Sequence, residues 1–190
     1  MTDKKSSNVT AARVVQLLGE RSVILVGMMG ADKSSIGRRL ARDLNRRFLD
    51  SDSAVEEAAR LSVKEIFALY GEDHFRACEL RVVERILTAP GQVVALGGGA
   101  WMNADIRAMT RSIGFSVWLD VDLSILAQRV ARRRTRPLLL AGNVRQSLEI
   151  LNERRRPIYG TADIRVAADE THPDVIVHRM MTEIIQFLSL

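Results

Sequence analysis

Lys33 and Ser34 close the run Gly27-Met28-Met29-Gly30-Ala31-Asp32-Lys33-Ser34. It matches the phosphate-binding pattern G-x-x-x-x-G-K-[ST] at Gly27, Lys33 and Ser34. A loop of this kind wraps backbone N–H groups around a nucleotide phosphate at the positive end of the following helix. The lysine then reaches the β- and γ-phosphates, and the Ser34 hydroxyl is a ligand for Mg²⁺. The flanks suit the motif: the apolar run Val23-Ile24-Leu25-Val26 leads in, and Ser34 to Ala41 leads out with helical spacing.

One residue departs from the pattern. Asp32 stands where a glycine is expected before the lysine. Glycine is wanted there because the backbone must take positive φ and approach the phosphates closely. A carboxylate ~4 Å from a phosphate charge costs about 4 kcal/mol at an effective dielectric of about 20. Left uncompensated, that would weaken ATP binding about a thousandfold. Two routes avoid the penalty: aspartate tolerates left-handed backbone geometry better than most residues, and its side chain can point to solvent.

Five further groups carry chemistry. Asp50 and Asp52 flank Ser51 at the end of an expected strand, so one carboxylate could hold Mg²⁺ through water while the other meets a substrate hydroxyl. The competing reading is that Ser51, Asp52 or Ser53 caps the next helix. Arg76 and Glu79, three apart on one helix face, form either an ordinary surface ion pair or an anion clamp whose arginine is oriented by its acid. Gly97-Gly98-Gly99 follows Val93-Val94-Ala95-Leu96, and three glycines in a row cost enough backbone entropy to imply close approach to a ligand. Arg136-Pro137-Leu138-Leu139 and Arg155-Arg156-Pro157-Ile158-Tyr159 supply cations. Arg136 could close over phosphates in transfer. Arg155 suits a two-pronged grip on a carboxylate, or else a favourable interaction with a helix C-terminus.

The elements that must position these residues alternate along the chain. Strands are expected at 22–27, 47–50, 92–96, 115–120 and 163–167, and helices at 9–19, 34–46, 53–60, 63–69, 73–88, 103–111, 122–132, 143–156 and 172–188. This order implies an α/β fold with a parallel sheet covered by helices on both faces. Ligands in such sheets lie at the carboxyl ends of the strands. Three of the chemical groups fall at those ends: 27–34, 50–52 and 97–99. Residues 1–20 read as an N-terminal extension, loose over 1–8 and helical after that. Residues 21–190 form the main domain, and the Arg- and Pro-rich stretch 132–143 is a mobile loop.

Composition narrows the function classes. A hydrophobic fraction of 47% with 27% charged residues is that of a soluble globular domain. No segment approaches the ~20 apolar residues of a membrane span. The polar stretch 1–8 opens no signal peptide. The single cysteine, Cys78, excludes an internal disulfide and suits a reducing cytoplasm. His74, His172 and His178 are too scattered for a metal cluster. The net charge of +5 admits nucleic acid as a partner, but the arginines cluster without aromatic residues to stack bases, which argues against it.

Taken together, the chain resembles shikimate kinase over about residues 21–187. The resemblance rests on the loop 27–35, Asp50-Ser51-Asp52, Gly71-Glu72-x-x-Phe75-Arg76-x-x-Glu79, Gly97-Gly98-Gly99, Arg136-Pro137-Leu138-Leu139 and Arg155-x-Pro157-x-Tyr159. It implies a P-loop kinase with a five-stranded parallel sheet and a mobile lid, acting as a monomer on ATP and the 3-hydroxyl of shikimate. By position, Gly30, Ala31, Asp32, Lys33, Ser34 and Ser35 would hold the ATP phosphates, with Mg²⁺ at Ser34 and Asp50. Asp52, Arg76, Gly97, Gly98, Gly99 and Arg155 would line the shikimate site. Lys33, Asp52 and Arg136 would carry catalysis, with Arg136 also on ATP and an adenine-side arginine among Arg132 to Arg134.

Other readings remain at this level. A non-catalytic relative with a defective ATP site is one, and a kinase for another small acid such as gluconate is a second. A nucleic-acid-binding NTPase is the third.

Overall fold

The computed structural model describes the backbone of residues 2–132 and 144–190 and the side chains of 9–131 and 145–190. Five strands form one parallel sheet: β1 (Ser22–Val26), β2 (Phe48–Asp50), β3 (Val93–Ala95), β4 (Gly114–Asp120) and β5 (Ile164–Ala167). Their spatial order is β2-β3-β1-β4-β5. Ile24 on β1 sits in register with Val94 on one side and Ser116 on the other, and Asp50 is level with Ala95.

Every residue of β1 and β3 is buried, so both faces of the sheet centre are covered. The helices fall into two groups. α1 (Thr2–Leu18), α2 (Lys33–Asp43) and α8 (Pro173–Leu188) pack together, with α2 on β1 to β3 and α8 on β5. The second group is α3 (Ser51–Ala59), α4 (Val63–Leu87), α5 (Ala104–Ile113), α6 (Leu123–Arg132) and α7 (Val144–Tyr159). The chain leaves β1 toward β2 and β3, then crosses to β4 and β5. The crevice therefore opens at the tip of β1, where the strand order reverses. Among the described residues no helix is long and apolar enough to cross a membrane.

Most boundaries fall within three residues of expectation, and three differences bear on the packing. α1 starts at Thr2 and not near residue 9, and it lies on α8 through buried Ala11, Val14 and Leu18. The helices expected at 63–69 and 73–88 form one run, broken only at Gly71 (φ 80°, ψ 177°), where a positive φ interrupts helical geometry. α7 continues through Pro157 to Tyr159 and does not stop at residue 156. Its extra turn carries Tyr159 into the core. The expected lid lies outside the described residues, except that the backbone of Arg132 ends α6.

Candidate active site

The loop after β1 is shaped by its glycines and by its neighbours. Gly27 has φ 140°, and a Cβ there would lie 2.6 Å from the Leu119 carbonyl oxygen on β4. Gly30 has φ 84°, and a Cβ would meet Val130 at 3.2 Å and Leu126 at 3.5 Å, so α6 rests against the loop. Lys33 opens α2, with its side chain folded under the loop. Its ammonium donates to the carbonyls of Gly27 (2.8 Å) and Met28 (3.0 Å). Ala31 is fully buried, and the Ser35 hydroxyl accepts from Arg39 at 2.9 Å.

Asp32 takes φ 55°, ψ 29°, the left-handed conformation that glycine would have supplied. Its carboxylate does not cap α2, nor does it simply point to solvent as one escape route supposed. It pairs with Arg129 of α6, Nη1 to Oδ2 at 3.2 Å, with both side chains about a quarter exposed (23% and 25%). The same guanidinium donates to the Gly30 carbonyl at 3.3 Å and the Asp169 carbonyl at 3.2 Å. An opposite unit charge at this range offsets a phosphate repulsion of about 4 kcal/mol by a similar amount, because both act through the same medium.

At the tip of β2, Asp50 serves two neighbours. One carboxylate oxygen accepts from the backbone N–H of Asp52 (3.0 Å) and Ser53 (3.3 Å), so Asp50 caps α3. Ser51, Asp52 and Ser53, the caps expected from sequence, do not perform that role. The other Asp50 oxygen accepts a short hydrogen bond from the Ser34 hydroxyl. A hydroxyl and a carboxylate brought together are hard oxygen donors of the kind Mg²⁺ takes, one or two from protein with water and phosphate completing the shell. The residues fit that ion. Among the described residues no group of three His, Cys, Asp or Glu could hold a metal unaided.

The other half of the crevice is assembled around the glycine triplet. Ser51 is buried, and its hydroxyl accepts from the Gly97 N–H at 2.8 Å, tying the tips of β2 and β3. A Cβ at Gly97 would lie 2.9 Å from Glu79 Oε1 and nearer still to Asp52. At Gly98 it would lie 3.1 Å from the Met29 backbone nitrogen, and at Gly99 it would lie 2.6 Å from Arg76 Nη1. The triplet is thus the seam where the phosphate loop, Asp52 and the Arg76–Glu79 pair meet.

Arg76 donates to Glu79 Oε2 at 2.7 Å and to Glu72 Oε1 at 3.0 Å. Glu79 is only 2% exposed, and its Oε1 has no hydrogen-bond partner among the described residues. Burial pushes the Glu79 carboxyl above the ordinary glutamate range; Arg76 pulls it back in part, Asp52 adds to the rise and Arg155 opposes it. From the far side, Arg155 of α7 (8% exposed) donates to the Gly98 carbonyl at 2.9 Å, and the Tyr159 hydroxyl donates to the same oxygen. Arg155 is therefore a buried cation in the crevice and not a surface charge at the helix end. Its neighbour Arg156 turns outward onto Asp120, at 2.8 and 2.9 Å.

The structure thus brings together Gly30 to Ser35, Asp50, Asp52, Arg76, Gly97 to Gly99 and Arg155. Arg136, Arg133 and Arg134 lie outside the described residues, as does the side chain of Arg132. Two participants were not anticipated. Ser51 ties two strand tips, and Arg129 pairs with the irregular Asp32. The signal for Arg129 was its place beside Leu126 and Val130 on one helical face, and those two residues pack on the loop.

Comparisons with known proteins agree with this geometry. The family model described as shikimate kinase matches residues 29–189. A shikimate kinase of Rhizobium meliloti is 40% identical over 92% of this chain and 91% of its own length. The solved structure of a shikimate kinase from Acinetobacter baumannii in complex with shikimate superposes with TM-score 0.86 and 31% identity, covering 91% of this chain and 97% of that one. A gluconokinase from Sinorhizobium meliloti reaches TM-score 0.60 at 17% identity over 90% of this chain and 94% of that one, a likeness of fold alone.

Proposed function

The chain belongs to the shikimate kinase family, and from that premise we propose that it transfers the γ-phosphoryl group of ATP to the 3-hydroxyl of shikimate. The observation that carries the reading is the seam at Gly98, where an anion clamp with its own buried acid lies against a phosphate loop. Shikimate is an anionic triol, so its pocket needs cations for the carboxylate and acceptors for the hydroxyls. Arg76 and Arg155 meet the carboxylate, and Asp52 accepts from the attacking hydroxyl. Glu79 holds Arg76 in place.

On the nucleotide side, backbone N–H groups of Gly30 to Ser35 and the Lys33 ammonium hold the phosphates. Ser34 and Asp50 hold Mg²⁺, which would neutralise phosphate charge when bound with ATP. Arg136 is the arginine assigned to the ATP phosphates by the family resemblance. Transfer of this kind needs mainly positioning and charge stabilisation. The single cysteine supports a cytoplasmic location, and family resemblance supports a monomer without membrane or nucleic-acid partners.

A coupled ADP assay with ATP, Mg²⁺ and shikimate tests the proposal. Turnover that depends on shikimate, and fails with gluconate, supports it. Absence of shikimate-dependent turnover at high ATP rejects it in favour of a non-catalytic relative.

A further inference from the structure

We propose that Arg129 is a positioning residue that makes the aspartate in the phosphate loop compatible with nucleotide binding, holding its carboxylate in an ion pair and cancelling its charge. The inference rests on the nucleotide reading of this site. Three observations carry it. Asp32 has the left-handed backbone the loop requires and makes no side-chain cap to α2. Arg129 holds its carboxylate: one guanidinium nitrogen is ion-paired with Asp32 Oδ2 and donates to the Gly30 carbonyl, and a second donates to the Asp169 carbonyl after β5. The planar fork of arginine makes this three-way contact possible, and a lysine would supply only a point charge.

The third observation separates the ion pair from the docking of α6. Leu126 and Val130 lie at Gly30 through apolar side chains, contacts that do not involve the Arg129 charge. Removing the Arg129 charge should therefore leave the loop and helix in place while taking from Asp32 the cation held 3.2 Å from its carboxylate. The two substitutions must then be coupled: the cost of losing Arg129 depends on whether Asp32 is present.

ADP binding by calorimetry, without shikimate, measures this directly for the wild type, D32G, R129Q and the double variant. The expected result is that R129Q weakens ADP at least about tenfold more in the wild-type background than in D32G. R129K should recover part of the loss. Bonds from Arg129 to Gly30 and Asp169 vanish in both backgrounds, so a purely structural role would give equal losses. Equal losses would overturn the inference. ADP binding by D32G but not by the wild type would also overturn it, while leaving the nucleotide reading intact. Absence of binding by both would remove the nucleotide reading and the inference together.

Discussion

The two halves of the crevice tolerate change very differently. On the proposed shikimate side two of the charges are buried, Glu79 at 2% and Arg155 at 8% exposure, and the three glycines leave the charged side chains close against the backbone. On the nucleotide side the loop binds through its backbone, and its irregular residue lies where a partly exposed arginine can reach it. There the extra carboxylate is met by an ion pair with Arg129. A methyl group at Gly97 or Gly99 would push aside the charged ends of Asp52, Glu79 or Arg76. Tolerance follows burial, because a buried charge can neither move aside nor be screened.

The sharpest way to break this contrast is Arg155→Met. Loss of a buried, hydrogen-bonded cation should lower kcat/KM for shikimate about a thousandfold, with ADP affinity nearly unchanged. Equal losses for both ligands would show that the halves are not separate. Next is Gly99→Ala, whose Cβ would lie 2.6 Å from Arg76 Nη1. Displacing the clamp should cost about a hundredfold in shikimate turnover, and a value near wild type would show the seam to be slack.

Glu79→Gln is expected to cost about tenfold at neutral pH through the lost orientation of Arg76, and pH profiles sharpen the result. Burial raises the Glu79 carboxyl in the folded protein. The stability this group contributes is therefore present below the unfolded-state value and lost as pH rises through the raised one. Thermal melts should show the variant gaining on the wild type over that interval. The acid limb of kcat/KM for shikimate, set in the wild type by ionising Glu79, should move to lower pH in the variant. Coincident profiles would remove Glu79 from the account. The smallest effect is assigned to Asp32→Gly, which should change KM for ATP by less than about tenfold, against the thousandfold expected of an uncompensated charge. A large gain in ATP affinity would place the two halves on the same footing.

Much of this was legible along the chain. The five strands appeared where short β-branched runs alternate with helical periodicity, since period and turn chemistry are local properties. The phosphate loop, the aspartates after β2 and the glycine triplet were legible because each is a compact motif at a strand tip. Less legible were the roles within each motif. Which of four residues at 50–53 caps α3 depends on side-chain direction, and the choice fell on Asp50 because Ser51 turns inward to the Gly97 N–H. The run of α7 through Pro157 was missed because a proline near a helix end reads as a stop, although burial of Tyr159 holds the last turn.

By itself the sequence determined the order of elements and the family, through periodicity and motif spacing that act within a few residues. Only the tertiary structure decided who neutralises Asp32, who strings β2 to β3, and which acid stays half-satisfied beneath the clamp. Those pairings join residues far apart in the chain, and a side chain's partner is set by the packing of α6, α4 and α7 around the sheet. No local preference encodes a 3.2 Å contact between Asp32 and Arg129, with most of the sheet and four helices between them in the chain.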